Sequence, residues 1–432
     1  MSPPLLRAIG RWTLAALMLN GVIGSSVFGL PSVIAGKLGA ASPWAWLVAA
    51  LGIAVVVACF AEVSSRFERA GGPYLYGRVA FGRLMGIEMG WVAYLVRLTA
   101  AATNANLFVI YLGELWPAAE TPLGSRLVLA ALIAPLAAVN IRGVSPGSRL
   151  SAGLLLLKLV PLTFFVLAGL ALALPRGISH PAATATAGNW LDAILLLVFA
   201  YGGFEAALIP LGEAKNPERD APFALGVTLL TCAVLYSLTQ IVVLAALDDP
   251  AGSTRPLAAA AREFLGPAGA VVMALAAMLS VYGYLAGGMV NVPRLTYAMA
   301  AEGDLPRGFA GIHPRWQTPV LSILVYAVLV WLLASSAGFL GNLSLSAVSR
   351  LFTYGVVCAA LVRLRSMDAA GKVPRARLRL PAGWLWTGLG IGFSLVLATR
   401  MARQELLVMA VTLGLGGLNW LWARRQSQAQ GS

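Results

Sequence analysis

Apolar residues run along this chain in long continuous stretches, neither alternating nor confined to one helical face, and short polar intervals separate them. A hydrocarbon core of about 30 Å calls for roughly 20 apolar residues per crossing helix. Stretches of that order fall near residues 12 to 35, 43 to 62, 86 to 113, 125 to 141, 150 to 174, 189 to 212, 222 to 247, 266 to 299, 319 to 338, 341 to 362, 382 to 399 and 404 to 422. The pattern predicts an all-α polytopic membrane protein of about twelve spanning helices. A β-barrel would instead show short segments of alternating polarity.

Composition agrees: 59% of the 432 residues are hydrophobic and 11% charged, with a mean hydropathy of +0.81, more apolar surface than a soluble fold can hide. The net charge of +14 invites a nucleic-acid reading, but the placement of Lys and Arg follows the membrane. Of the 31 basic residues, twenty fall in loops on the side that holds both termini, seven fall on the other side, and Arg97, Lys158, Arg294 and Arg350 fall inside spans. By the positive-inside rule both termini are cytoplasmic, which places the chain in the cytoplasmic membrane of a bacterial host. Arg66, Arg69, Arg78, Arg83 and the stretch from Arg363 to Arg379 read as this topology signal on a solvated face. Trp44, Trp46, Trp116 and Trp422 read as interfacial anchors. The first span lacks the small-x-small cleavage site of a secretory leader and reads as retained. Cys59, Cys232 and Cys358 sit in separate apolar runs, and the two histidines, His180 and His313, sit in loops. No metal, cofactor or disulfide is expected, and an intramembrane enzyme would lack its usual acid-base groups.

Two spans carry glycine and small polar residues where a lipid-embedded helix should keep its backbone closed. The first contains Asn20-Gly21-Val22-Ile23-Gly24-Ser25-Ser26, the sixth Phe199-Ala200-Tyr201-Gly202-Gly203-Phe204-Glu205. Small residues can serve merely to bring helices close. If the fold comprises two repeats of five helices, however, both clusters open a repeat, the sequence signature of a transporter site made by two broken helices. Amides near Gly24, Ser25 and Ser26 would then start a new helix and suit a carboxylate. Carbonyls of Val22, Ile23, Phe199, Ala200 and Gly202 would lose helical partners and accept from an ammonium group. Such a site recognises both ends of an α-amino acid.

These residues also carry a family resemblance. Gly24-Ser25-Ser26-Val27-Phe28-Gly29-Leu30-Pro31 is similar to the G-S-G-I-F-G-L-P pattern of the amino acid-polyamine-organocation permease superfamily. Phe199 to Glu205, followed by Glu213-Ala214-Lys215-Asn216-Pro217-Glu218-Arg219-Asp220-Ala221-Pro222, resembles its sixth-helix pattern F-A-Y-x-G-F-E with E-x-K-N-P-x-R-D-x-P. Arg294 to Ala300 with Gly303-Asp304-Leu305-Pro306 resembles the end of the eighth helix, and Lys158-Leu159-Val160-Pro161 a fifth-helix motif. The resemblance implies two inverted repeats, here 12 to 174 and 189 to 362, discontinuous first and sixth helices, two peripheral helices over 382 to 422, and alternating access around a midplane site. It implies a sodium-independent amino acid transporter, working by proton symport or exchange, with Phe199 as an aromatic gate and Tyr201, Gly203 and Asn104 beside it. Ser26 stands where the pattern has glycine, which favours a small or neutral substrate. An antiporter for a charged amino acid or polyamine is the alternative, and homo-oligomer formation is left open.

The buried charges divide two ways each. Resemblance implies that the Lys158 ammonium takes the place of a sodium ion and couples the fifth helix to the first break; the alternative is a lysine that snorkels to the interface. Glu205 is either a proton acceptor or the fixed partner of an internal cation. Arg97 in the third span favours an anionic substrate group if it faces the pocket, and otherwise pairs with Glu88 or Glu205. Arg294 and Arg350 are assigned to helix ends or interhelical contacts, without a substrate role.

Overall fold

The computed structural model describes residues 10–67, 72–143, 148–178, 185–208 and 215–429. Arg7, Arg69, His180 and the Glu213-Ala214 pair of the sixth-helix motif lie outside the described residues. Among those described, the regular structure is entirely helical. In chain order the helices are α1 (Arg11–Val22), α2 (Ser26–Leu38), α3 (Ser42–Ser64), α4 (Gly72–Phe81), α5 (Arg83–Leu112), α6 (Pro122–Ile141), α7 (Ser148–Leu172), α8 (Ala187–Tyr201), α9 (Phe204–Ala207), α10 (Pro217–Ala246), α11 (Pro256–Ala301), α12 (Val320–Ser336), α13 (Phe339–Ala369), α14 (Gly383–Ala398) and α15 (Arg403–Ala429). Among the described residues, eight helical stretches are long and apolar enough to cross a bilayer, and α8, α12 and α14 are shorter apolar helices.

Burial follows the helical period. On α7, Lys158, Leu162 and Phe165 are wholly buried, while Leu156, Val160 and Leu167 on the opposite face are each more than 60% exposed. Outward leucine and valine of this kind suit lipid, and the inward stripe packs on α11, α10 and α1. α5 lies at the centre, against α11, α13 and α15, while α3 packs on α8, α10 and α13.

Three sequence expectations need correction. The interval before the predicted span from 266 to 299 is not a loop: residues 256–265 are helical, Gly266, with φ of 72°, kinks the chain, and the span itself follows from Pro267 as expected. The charges of Arg262 and Glu263 hide the turn-up from a hydropathy reading, although Leu257, Ala258, Ala260 and Ala261 bury its inner face. Trp46 is not an interfacial anchor: it is fully buried and its indole donates to Gln240 Oε1 at 2.9 Å. Trp44 and Trp116 are exposed, as anchors require.

Nor is the basic face freely solvated. Arg66 is 4% exposed and pairs with Glu62 and Asp368. Arg365 meets the same buried Glu62, whose Oε2 also accepts from the Leu380 amide at 2.8 Å. Arg83 and Arg78 converge on buried Asp304, 2.8 and 3.1 Å away, and the Tyr74 phenol donates to it at 2.7 Å. Burial first, and then the Asp304 carboxylate, push the Tyr74 phenol above its ordinary pKa. A charged loop residue can therefore report topology and still be locked by an ion pair.

Candidate functional site

Helix α1 stops because Ile23 leaves helical geometry, with φ of −75° and ψ of 94°. The chain passes Gly24 and Ser25 before α2 begins, so the last carbonyls of α1 and the first amides of α2 point into the protein interior. The second interruption is alike: Gly202 is extended, at φ −78° and ψ 161°, and Gly203 has φ of +117°. A Cβ on Gly203 would sit 2.3 Å from the Gly21 carbonyl oxygen, so the two breaks touch backbone to backbone and only glycine fits there.

The polar groups freed at the first break have protein partners. Lys158 does not snorkel: fully buried, its Nζ donates to the carbonyls of Asn20 and Ile23, both at 3.0 Å. Asn104 Oδ1 accepts from the Ser25 amide at 3.0 Å, while its own amide group donates to Ala100 O at 2.8 Å. Tyr236 reaches the Val22 carbonyl at 3.4 Å. Ser25 and Ser26 are buried, and the Ser25 hydroxyl has no hydrogen-bond partner among the described residues. Asn104 and Tyr284 crowd the space above Gly24.

At the second break the Phe199 carbonyl accepts from the Gly202 amide at 3.2 Å. Phe199 and Ala200 are buried, and the Arg350 guanidinium lies over the Phe199 ring, 5.9 Å from its centre. Tyr201 turns toward α3 and donates to the Trp46 carbonyl at 2.8 Å. With Val22 and Phe204 it borders a small apolar cavity of about 10 Å³ that also reaches α10. Tyr201 and Arg97 thus face different spaces.

Glu205 is 5% exposed and clamped on both oxygens: Oε1 pairs with Arg350, and Oε2 accepts from the Gly203 amide at 2.8 Å. This is the fixed-partner geometry, and the cation is Arg350 rather than Arg97. Sequence reasoning assigned Arg350 no place at the site; it is 2% exposed, on α13, 145 residues from its partner, with its guanidinium against Gly202. The signal that could have found it is the arginine itself, a buried charge in an otherwise apolar span. Arg97 and Glu205 line a second small cavity, of about 40 Å³, with Arg350, Thr353 and Tyr354. Neither Glu88 nor Glu205 bonds Arg97, which is half-buried and has no ion-pair or hydrogen-bond partner among the described residues. Arg294, by contrast, is exposed.

Two interrupted helices crossing at their breaks, enclosed by apolar helices with lipid-facing outer surfaces and lined by buried charges, define a membrane transporter. The chain belongs to the amino acid permease family: the family model described as amino acid permease matches residues 9–411. An uncharacterized transporter of Mycobacterium tuberculosis is 31% identical over 94% of this chain and 92% of its own length. Cationic amino acid transporter 4 of Mus musculus is 29% identical, over 86% of this chain and 61% of the mouse protein. The methylthioribose transporter of Bacillus subtilis is 27% identical, over 84% and 80% respectively. These relatives are named as transporters, and the protein is a transporter rather than an enzyme.

Proposed function

We propose that this permease carries an amino acid across the cytoplasmic membrane by alternating access, without sodium, as a proton symporter or an exchanger. The observation that carries the reading is the Lys158 ammonium, 3.0 Å from two carbonyls at the end of α1. A cation is needed where helix-terminal carbonyls converge in a low-dielectric interior, and here the chain supplies its own. The substrate carboxylate is assigned to the start of α2 at Gly24, Ser25 and Ser26, and the ammonium group to the carbonyls of Val22, Ile23, Phe199, Ala200 and Gly202. Asn104 Oδ1, already on the Ser25 amide, stands in for one carboxylate oxygen. Exchange of that oxygen for substrate would release α5 from α2 and link occupancy to movement, with Phe199 as the gate.

On this reading α1 with α2, and α8 with α9, are the discontinuous helices of two inverted repeats, 12 to 174 and 189 to 362, and α14 and α15 are peripheral. Both termini are assigned to the cytoplasm, a placement that the Lys and Arg distribution supports. The substrates in the names of the relatives, cationic amino acids and methylthioribose, differ in charge. The side chains of this chain therefore decide the cargo.

The test is counterflow in proteoliposomes preloaded with one unlabelled amino acid at a time, with labelled solute outside, in sodium and in choline buffers. Saturable counterflow that is the same in both buffers is expected. A requirement for sodium would defeat the Lys158 reading, and no counterflow with any amino acid would defeat the substrate class.

A further inference from the structure

A small cavity of about 40 Å³ beneath the second break is walled by α4, α5, α9, α11 and α13. Its polar lining is unbalanced in one direction. The acceptor groups are engaged: Glu205 holds Arg350 through Oε1 and the Gly203 amide through Oε2, and the Tyr74 phenol is hydrogen-bonded to Asp304. The donors are less well served. Thr353 Oγ1 is buried without a hydrogen-bond partner among the described residues, and Arg350 Nε and Tyr354 OH have no well-aligned one, the guanidinium and the phenol lying against each other; their residues are 4%, 2% and 0% exposed. Arg97 adds a whole guanidinium from the facing helix. Nε and the Arg97 nitrogens can only donate, and the two hydroxyls can donate as readily as accept. Two guanidinium groups against one carboxylate leave the cavity one positive charge in excess.

Unsatisfied buried donors are costly, more so when charged, and the ligand that removes the cost is one with acceptor oxygens and a negative charge. A guanidinium fork matches a carboxylate in both charge and planar geometry. A lysine or arginine side chain would bring a second positive charge to donors that it cannot satisfy. Arg350 also contacts Gly202 and the Phe199 ring, so the donors adjoin the break to which the ammonium of the substrate is assigned.

We infer that Arg97, Arg350, Thr353 and Tyr354 form a carboxylate subsite, and that the cargo of this permease is an acidic amino acid rather than a neutral or cationic one. The inference rests on the amino acid reading above and supplies its specificity.

The test compares each acid with its amide, since aspartate and asparagine, or glutamate and glutamine, have the same shape and differ in charge. Affinity is read from ligand-dependent thermal stabilisation of the purified protein and from competition against counterflow. The acid is expected to bind at least about tenfold tighter than its amide. In Arg97→Gln and Tyr354→Phe that ratio falls toward one, while binding of the amide persists and shows the variant to be folded. Arg350 is left intact, because its loss would strand Glu205. Equal or tighter binding of the amide, or of lysine or arginine, in the wild-type protein overturns the inference but leaves the amino acid reading standing. Stabilisation by chloride or phosphate equal to that by the acid, as from an adventitious ion only, also overturns it. Silence toward every amino acid defeats both readings together.

Discussion

Replacing Gly203 by alanine tests whether contact between the two breaks holds the site together. The added Cβ would lie 2.3 Å from Gly21 O, 2.9 Å from Gly21 C and 3.3 Å from Val22 N. All three are backbone atoms, so no side chain can rotate away. Ordinary contact begins near 3.4 Å, and the breaks would have to separate by about 1 Å. The φ of +117° adds a conformational cost of about 1–3 kcal/mol for a residue with a side chain. Overpacking a closed contact adds about 1–3 kcal/mol more. The sum, about 2–6 kcal/mol, is a large part of the roughly 5–15 kcal/mol that holds a typical protein folded. Gly226 and Gly287 are internal controls: a Cβ on either meets nothing within 4 Å, and alanine is the better helix former. The assay is the unfolding midpoint in detergent together with counterflow for all three alanine variants. Gly203→Ala is expected to lower the midpoint and abolish counterflow, with both controls at or above wild type. A Gly203→Ala protein with wild-type midpoint and counterflow would refute the contact.

Three further substitutions bear on the buried charges. Lys158→Ala removes two charge-assisted hydrogen bonds, worth about 1.5–3 kcal/mol each, and strands the Asn20 and Ile23 carbonyls; a lower unfolding midpoint and loss of counterflow are expected, and full activity in sodium-free buffer would remove Lys158 from the coupling. Glu205→Gln keeps an acceptor for the Gly203 amide but takes the countercharge from Arg350. Transport should fall while the pH at half-maximal rate stays in place, and a displaced half-maximum would put Glu205 on the proton path. Glu62→Gln leaves Arg66 and Arg365 without their shared carboxylate, and breaking such a buried pair costs about 3–5 kcal/mol; differential scanning fluorimetry would read this as an early transition, and an unchanged midpoint would show that Asp368 suffices for Arg66.

The helices were legible because lipid demands long apolar runs, and all twelve expected stretches meet observed helices within about five residues of their N-terminal ends, the 266 to 299 stretch meeting the part of α11 beyond the Gly266 kink. The helical residues 256–265 before that kink are hidden behind charge. The breaks were legible too, since two clusters of glycine and small polar residues, around Gly24 and the Gly202-Gly203 pair, fall at equivalent positions of the two expected repeats. Partners were not. Asn104 meets the Ser25 amide across 79 residues, and Arg350 meets Glu205 across 145, and spacing along a chain reports only on neighbours within a turn or two. Arg97 was visible as a charge in a span, but its lack of a partner is a property of three helices at once. Trp46 and Arg66 misled for a related reason: aromatic and basic residues near span ends mark the interface on average, and these two have specific buried acceptors.

The charges around the breaks also bear on the order of events in a transport cycle. Lys158 and Arg350 are buried, Arg97 is half-buried, and Glu205 is the one carboxylate paired among them. Carbonyl dipoles at the end of α1 offset Lys158, and Glu205 pairs with Arg350, which leaves Arg97 facing the cavity without a carboxylate of its own. Closing that cavity without cargo would seal a bare charge in a low-dielectric space. Closing it around a ligand with one more negative charge than positive would not. The loaded carrier should therefore reorient faster than the empty one, and counterflow with solute on both sides should outpace net efflux into solute-free buffer. Arg97→Gln removes the uncompensated charge along with the carboxylate subsite, so the gap between the two rates should narrow in that variant. If net efflux and counterflow proceed equally fast in the wild-type protein, the bare charge is not what restrains the empty carrier.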